Sequence, residues 1–356
     1  MYVFIYQEVM KFSNILLNWY ILNKREFPWR NTQNPYFIWL SEIILQQTQT
    51  QQGLPYYLKF IKSFPKISDL AAAKEDRVLK LWQGLGYYSR ARNLHFTAKY
   101  IVEHYNGVFP KKYSDILQLK GVGFYTAAAI SSFCFGLPYA VVDGNVIRVL
   151  SRFFGIEEPY DTVPGKNTYK NLAQEILDKK NHSDNNQAIM EFGALQCVPK
   201  SPKCDSCPLN TDCVAYNSNS VQYFPVKSRK LEVKKRFLNY LLIQNQDAIL
   251  LGKRTGGIWQ GLYDLPFIEY SSPKPAEEVV LSDQWQIFFE KSNYKIETIS
   301  DEFLHKLSHQ HIYARFWLVF VDNFELEKHS FIRKSQLNMY PVSRLIDKFF
   351  QEYNII

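Results

Sequence analysis

Cys197, Cys204, Cys207 and Cys213 stand in the pattern C-x6-C-x2-C-x5-C, four thiols within seventeen residues. Thiolates packed that closely share a metal, pair as disulfides, or coincide by accident. Cys134 is the only other cysteine in 356 residues, which is poor material for an extracellular disulfide framework, so a metal centre is the best of the three. Four thiolates suit either tetrahedral zinc or an iron–sulfur cube. Intervals of 6, 2 and 5 match neither the two-CxxC zinc ribbon nor the ferredoxin run, so spacing alone leaves both open. Two upstream sites could also do chemistry. Gly121-Val122-Gly123 lies between helical segments, the second running from Tyr125 to Phe133. Its two glycines allow a tight hairpin that turns backbone N–H groups outward at a helix start, where the dipole favours an anion such as phosphate. Val142-Asp143-Gly144-Asn145 then places one carboxylate at the entry of a helix beginning near Asn145, a place where aspartate also serves as an ordinary cap.

The elements that must position these groups change character near residue 225. Before it, apolar residues recur at helical spacing, as in Phe37, Leu40, Ile43 and Ile44, or Leu70, Val78, Leu81 and Trp82, which predicts an all-helical region. Residues 227–236 read KSRKLEVKKR, six bases against one acid, and form a linker. Strand chemistry follows. Phe237 to Ile243, a polar turn at Gln244 to Asp247 and Ala248 to Leu251 predict a hairpin, and Ile312 to Phe320 alternate as another strand. A closing helix carries Leu345, Ile346, Phe349 and Phe350 on one stripe. The net charge of +8 and pI near 9.0 favour an anionic partner. No secretory signal is visible at Met1 to Met10, and the longest uncharged stretch, Ala127 to Val142, is too short to span a bilayer. The expectation is an intracellular protein of the cytoplasm or nucleoid, without a membrane partner.

In order and interval, the hairpin, Asp143 and the four cysteines resemble a helix-hairpin-helix DNA glycosylase of the endonuclease III superfamily. Within it the chain is similar to the adenine DNA glycosylases of the MutY type. The matching residues are Pro28-Trp29-Arg30, Pro35-Tyr36, Trp39-Leu40-Ser41-Glu42, Leu45-Gln46-Gln47-Thr48-Gln49, Gly84 to Asn93, Val142 to Asn145, Asn186-Gln187-Ala188 and Gly193-Ala194. They cover the first 225 residues densely and the rest thinly. The resemblance implies a multidomain chain: an all-α helix-hairpin-helix glycosylase region carrying a [4Fe-4S] cluster on the four cysteines, then a smaller α+β MutT-like, or Nudix-like, domain. It places a six-helix subdomain at 26–135, an iron–sulfur subdomain at 1–25 plus 136–225, the basic linker at 226–236 and the recognition domain at 237–356.

Site residues follow from the same resemblance. Breaking an N-glycosidic bond needs a proton on the leaving base and negative charge near an oxocarbenium-like sugar, which two carboxylates in different environments supply. Glu42 matches the acid that protonates adenine N7, and Asp143 the carboxylate that stabilises the sugar cation. On a helix Glu42, Gln46 and Gln49 would form one polar stripe. Tyr125 occupies the place where bifunctional relatives carry a Schiff-base lysine, which implies a monofunctional enzyme with Tyr125 and Asn145 around Asp143. Trp29, Arg30, Leu45 and Gln187 correspond to the adenine pocket. Gln47, Thr48, Leu85 and Tyr88 correspond to wedge and intercalating residues, with Tyr88 stacking beside the opposite base. Gly121, Val122, Gly123, Lys200 and Lys203 face DNA phosphate. Leu307-Ser308-His309 aligns with a Phe-Ser-His tip that recognises 8-oxoguanine, with leucine as a departure. The implied substrate is duplex DNA with adenine opposite 8-oxoguanine or guanine, bound by a monomer. A pyrimidine-lesion glycosylase and lyase of the endonuclease III kind is the nearest alternative, and a non-enzymatic mismatch-binding or redox iron–sulfur protein the next.

Overall fold

The computed structural model describes residues 2–228, 233–290 and 292–355, with backbone only for residues 2–10, so residues 229–232 of the linker lie outside the described residues. Helical periodicity up to residue 225 yields twelve α-helices: α1 (Tyr2–Asn23), α2 (Pro35–Leu45), α3 (Thr50–Ser63), α4 (Ile67–Ala72), α5 (Glu75–Trp82), α6 (Ser89–Tyr105), α7 (Tyr113–Leu117), α8 (Phe124–Phe135), α9 (Gly144–Phe154), α10 (Val163–Glu175), α11 (His182–Leu195) and α12 (Val214–Asn217). The chain divides into two compact units, Met1–Ser68 with Phe96–Arg229, and Asp69–His95 with Lys230–Ile356.

Among the described residues, two apolar clusters pack helices of the first unit. Phe12, Leu16 and Tyr20 of α1 pack with Val149 and Leu150 of α9, Tyr169 of α10 and Phe192 of α11. Ile38 of α2 packs with Ala128, Ala129 and Phe133 of α8 and with Val141. These clusters fix α2, α8, α9 and α11, the four helices that carry the site.

In the second unit, β1 (Lys234–Asn245), β2 (Ala248–Lys253), β3 (Tyr263–Asp264), β4 (Phe267–Tyr270), α13 (Ala276–Val280), α14 (Asp283–Phe289), β5 (Tyr294–Ile299), β6 (Phe303–Lys306), β7 (Gln310–Val321), β8 (His329–Arg333) and α15 (Arg344–Glu352) follow in order. The predicted hairpin is β1–β2, in register Gln244↔Ile249. The strands β1 and β7 pair in parallel at the middle of the sheet, with β4 antiparallel to β1 and both β5 and β6 antiparallel to β7. α15 buries the predicted stripe Leu345, Ile346, Phe349 and Phe350, and the Phe349 ring stacks on Phe316 of β7 at 3.8 Å. The two-part expectation, helical then mixed α and β, is what is found.

Helical periodicity does not say which neighbour a helix takes. Residues 69–95 read as part of the six-helix subdomain, yet they group with the C-terminal residues. Asp76 of α5 binds Lys253 at 2.6 Å and the Tyr263 hydroxyl at 3.2 Å, while Gln83 donates to Asp347 at 2.8 Å and Lys80 to the Tyr340 carbonyl at 3.1 Å. Among the described residues no helix is long and apolar enough to cross a membrane.

Candidate active site

Glu42, Tyr125, Asp143, Asn145, Trp29, Arg30, Leu45, Thr48 and Gln187 all line one cavity of about 570 Å³ in the first unit, within the range of small-molecule sites. Glu42 comes from the last turn of α2. It is only 7% exposed, and burial pushes its carboxyl up to about 7. A hydrogen bond with Tyr125 and the charge of Arg30 pull it back, while Asp143 adds to the rise. The expected polar stripe does not form. α2 ends at Leu45, with Gln46 as C-cap, and Gln49 caps α3 instead, so Glu42 and Gln49 reach the cavity from different helices. Gln47 takes a left-handed φ of +56° in the turn between the two helices and is exposed at that turn.

Asp143 caps α9. Its Oδ1 accepts from the Val146 N–H at 2.8 Å and its Oδ2 from the Asn145 amide at 2.7 Å. Burial raises its carboxyl above the usual range, against the pull of those bonds. Capping and cavity lining are therefore performed by one side chain. The turn is braced from two sides. Asn186 accepts from the Val141 N–H at 3.0 Å and donates to the Tyr139 carbonyl at 2.9 Å, fixing the approach to Asp143. A Cβ on Gly193 would stand 2.8 Å from the Asn145 carbonyl oxygen, so only glycine lets α11 pass this close.

Sequence reasoning missed Arg25, Glu191 and Arg148, which line the same cavity. Arg148 donates to the Asn145 side chain at 2.9 Å, the Cys197 carbonyl at 2.7 Å and the Gly193 carbonyl at 2.5 Å, tying the Asp143 turn to the cysteine loop. Glu191 binds both Arg25 and Arg30 at 2.8 Å. The available signal was helical spacing. Glu191 lies four residues after Gln187 on α11, and Arg148 three after Asn145 on α9, each on the face already assigned to the site.

Cys197, Cys204, Cys207 and Cys213 are all free thiols and surround one small cavity with Arg152, whose Nη1 lies 3.4 Å from the Cys197 sulfur. A single zinc would need its ligands at about 2.0–2.3 Å. Among the described residues no three His, Cys, Asp or Glu side chains stand close enough to hold one ion. Four thiols facing one space are a donor set that suits either tetrahedral zinc or an iron–sulfur cluster. The loop that carries Lys200 and Lys203 is closed by Gln196, which donates to the Lys203 carbonyl at 2.6 Å, and both lysines are exposed.

In the hairpin, Gly121 has φ +82°, Val122 is buried, and Gly123 caps α8 with open space where a Cβ would stand. Thr97 of α6 donates to the Lys120 carbonyl at 2.8 Å and anchors the turn.

The remaining expected residues belong to the second unit. Leu85 and Tyr88 are 6% and 3% exposed, and the Tyr88 hydroxyl donates to the Val342 carbonyl at 3.4 Å. To stack on a base, the Tyr88 ring would have to leave this packing. Tyr87, with φ +48°, is the one exposed at 49%. Two consecutive tyrosines give no signal for which faces solvent, since the left-handed turn at Tyr87 decides it. Leu307, Ser308 and His309 form the tip between β6 and β7, closed by the Leu307 N–H donating to the Gln310 carbonyl at 2.8 Å. Ser308 and His309 are exposed, and the Tyr87 hydroxyl reaches Ser308 at 3.3 Å.

Residues 40–178 match the family described as HhH-GPD superfamily base excision DNA repair protein, and residues 239–352 match the NUDIX domain family. The chain is 39% identical over 318 residues to an adenine DNA glycosylase of Buchnera aphidicola subsp. Baizongia pistaciae, covering 86% of each. It is 33% identical over 351 residues to an adenine DNA glycosylase of Buchnera aphidicola subsp. Acyrthosiphon pisum, covering 95% of this chain and 97% of that one. Among solved structures, a thermostable thymine-DNA glycosylase matches with a TM-score of 0.56 at 30% identity, over 60% of this chain and 98% of its own. An endonuclease III in a non-covalent complex with DNA matches with a TM-score of 0.53 at 22% identity, over 60% and 97%, a likeness of fold alone.

Proposed function

The chain belongs to the adenine DNA glycosylase family of base excision repair enzymes, and from that premise we propose that it hydrolyses the N-glycosidic bond of adenine opposite 8-oxoguanine or guanine in duplex DNA, leaving an abasic site. The meeting of Glu42, Tyr125 and Asp143 in one cavity carries this reading. Glu42, buried and therefore half-protonated near neutrality, gives its proton to adenine N7. The C1′–N9 bond breaks with its electron pair leaving on the base, and the Asp143 carboxylate faces the positive charge that develops on the sugar. Water then adds to C1′ and returns a proton to Glu42. A Tyr125 phenol cannot form an imine, so no lyase step follows.

The target nucleotide leaves the stack to enter the cavity. Gln47 and Thr48 border the gap it vacates, and the aromatic pair Tyr87-Tyr88 supplies the ring that stacks beside the opposite base. Gly121 to Gly123, Lys200 and Lys203 hold phosphate. Ser308 and His309 present hydrogen-bonding groups to the oxidised guanine opposite. The Nudix-like domain serves recognition rather than Mg²⁺-dependent hydrolysis, which needs a cluster of acids to hold metal on phosphates: Glu269 is engaged by Arg236 at 2.6 Å, and Glu277 and Glu278 stand on α13. One asymmetric lesion needs only one protomer.

The four cysteines hold a [4Fe-4S] cluster, which braces the Lys200–Lys203 loop against DNA. Metal analysis of the purified chain should find about four iron and four sulfide per protein. Stoichiometric zinc without sulfide would contradict this assignment.

Because the acid works protonated, the base-release rate should be level below pH of about 7 and fall up to tenfold per unit above it. A rate that rises through this range would remove Glu42 from the acid role. The reading as a whole is tested by single-turnover release from duplexes with adenine opposite 8-oxoguanine, guanine or thymine. Release from the first two and not the third is expected. Release of a pyrimidine, or of no base, would overturn it.

A further inference from the structure

We propose that Glu191 is a positioning residue for base excision: it holds the Arg25 and Arg30 guanidiniums in the cavity wall and cancels their charge beside the Glu42 acid. This rests on the reading of Glu42 as the proton donor. Glu191 is 1% exposed on α11 and accepts four hydrogen bonds. They come from the Arg25 N–H at 2.9 Å, Arg25 Nε at 2.8 Å, Arg25 Nη2 at 2.9 Å and Arg30 Nη2 at 2.8 Å. Arg25 also reaches the Thr50 hydroxyl at 3.4 Å, and Arg30 the Arg25 carbonyl at 2.7 Å. One carboxylate thus joins α11, the segment before Trp29 and the start of α3 around the base chamber. The Arg25 and Arg30 bonds outweigh burial and hold the Glu191 carboxyl at about 2, so it is ionised throughout the working range.

A proton donor needs its protonated form to persist near neutrality, and a cation in the same wall opposes that. The groups acting on Glu42 are Tyr125 of α8 by a hydrogen bond, Asp143 at the start of α9, and Arg30 before α2. Arg148 of α9 also lines the cavity, and burial pushes the Cys134 thiol of α8 well above its ordinary range, so it carries no charge. Arg30 is the cation that acts on Glu42, and Glu191 sets a negative charge in direct contact with it and with Arg25 beside it. A purely apolar residue at position 191 would leave the Arg30 charge facing Glu42 in a desolvated wall.

The test is the pH profile of single-turnover adenine release for Glu191→Gln and Glu191→Asp, with duplex affinity measured beside it. Glu191→Gln should move the falling limb down by about one pH unit, so that the ratio of release at pH 8 to release at pH 5.5 falls roughly tenfold below the wild-type ratio. Glu191→Asp should restore the limb. An unmoved limb, whatever loss of rate is common to every pH, would overturn the inference. Should Glu191→Gln not fold, Arg30→Gln supplies the opposite displacement: with one cation fewer the limb should rise, whatever happens to the rate. A limb unmoved in that variant also overturns the inference. No adenine release by the wild-type chain at any pH would overturn the functional reading itself, and with it this inference.

Discussion

Glu42→Gln should slow adenine release by about 10²–10⁴-fold, the range that a positioned general acid contributes, while duplex affinity stays within about threefold. The amide matches the carboxyl in shape and can still bond Tyr125, so the buried end of α2 keeps its packing. What it loses is the transferable proton. Gel-shift affinity on a mismatched duplex, set against the single-turnover rate on the same duplex, separates the two quantities. Turnover at the wild-type rate would remove Glu42 from the chemistry altogether, and equal losses of rate and affinity would make it a binding residue.

Asp143→Asn should be nearly as damaging to rate, about 10²–10³-fold, for a different reason. Asparagine caps a helix about as well as aspartate, so the bond to the Val146 N–H survives and the melting temperature should fall by no more than about 2 °C. The negative charge facing the sugar does not survive. Thermal melting with single-turnover kinetics distinguishes the roles. A large drop in melting temperature with a matching loss of rate would mean that Asp143 matters as a cap, whereas an unchanged rate would exclude it as the sugar-facing carboxylate. The contrast with Glu42 is instructive. Both carboxyls are raised by burial, but Asp143 accepts two hydrogen bonds from the start of its own helix, and Glu42 sits against a tyrosine and a neighbouring carboxylate. Environments that treat two acids this differently allow one to donate a proton and the other to remain charged.

Much of this was legible from residue types and spacing, because local order sets it. The capping aspartate before Gly144, the hairpin glycines and the β1–β2 turn each depend on a few consecutive residues, and all appear where the sequence places them. What escaped depends on partners distant in sequence. Glu191 is 166 residues from Arg25 and gains meaning only when α11 closes over the base chamber. The segment 69–95 is as helical as expected, but its amphipathic faces do not record that Asp76 and Gln83 meet Lys253 and Asp347. At Tyr87-Tyr88, the choice of exposed ring rests on one left-handed backbone angle that nothing in a pair of identical side chains signals. The stripe of Glu42, Gln46 and Gln49 failed for a related reason, since helical phase was extended past the residue where α2 stops.

The most direct measurement is an incubation of excess protein with a duplex carrying adenine opposite 8-oxoguanine, analysed for strand breaks with and without hot alkali. Breaks at the adenine only after alkali are predicted, because Glu42 and Asp143 release the base and Tyr125 offers no amine to cut the strand. Breaks at that adenine without alkali, or a borohydride-trapped covalent complex, would contradict a monofunctional adenine glycosylase.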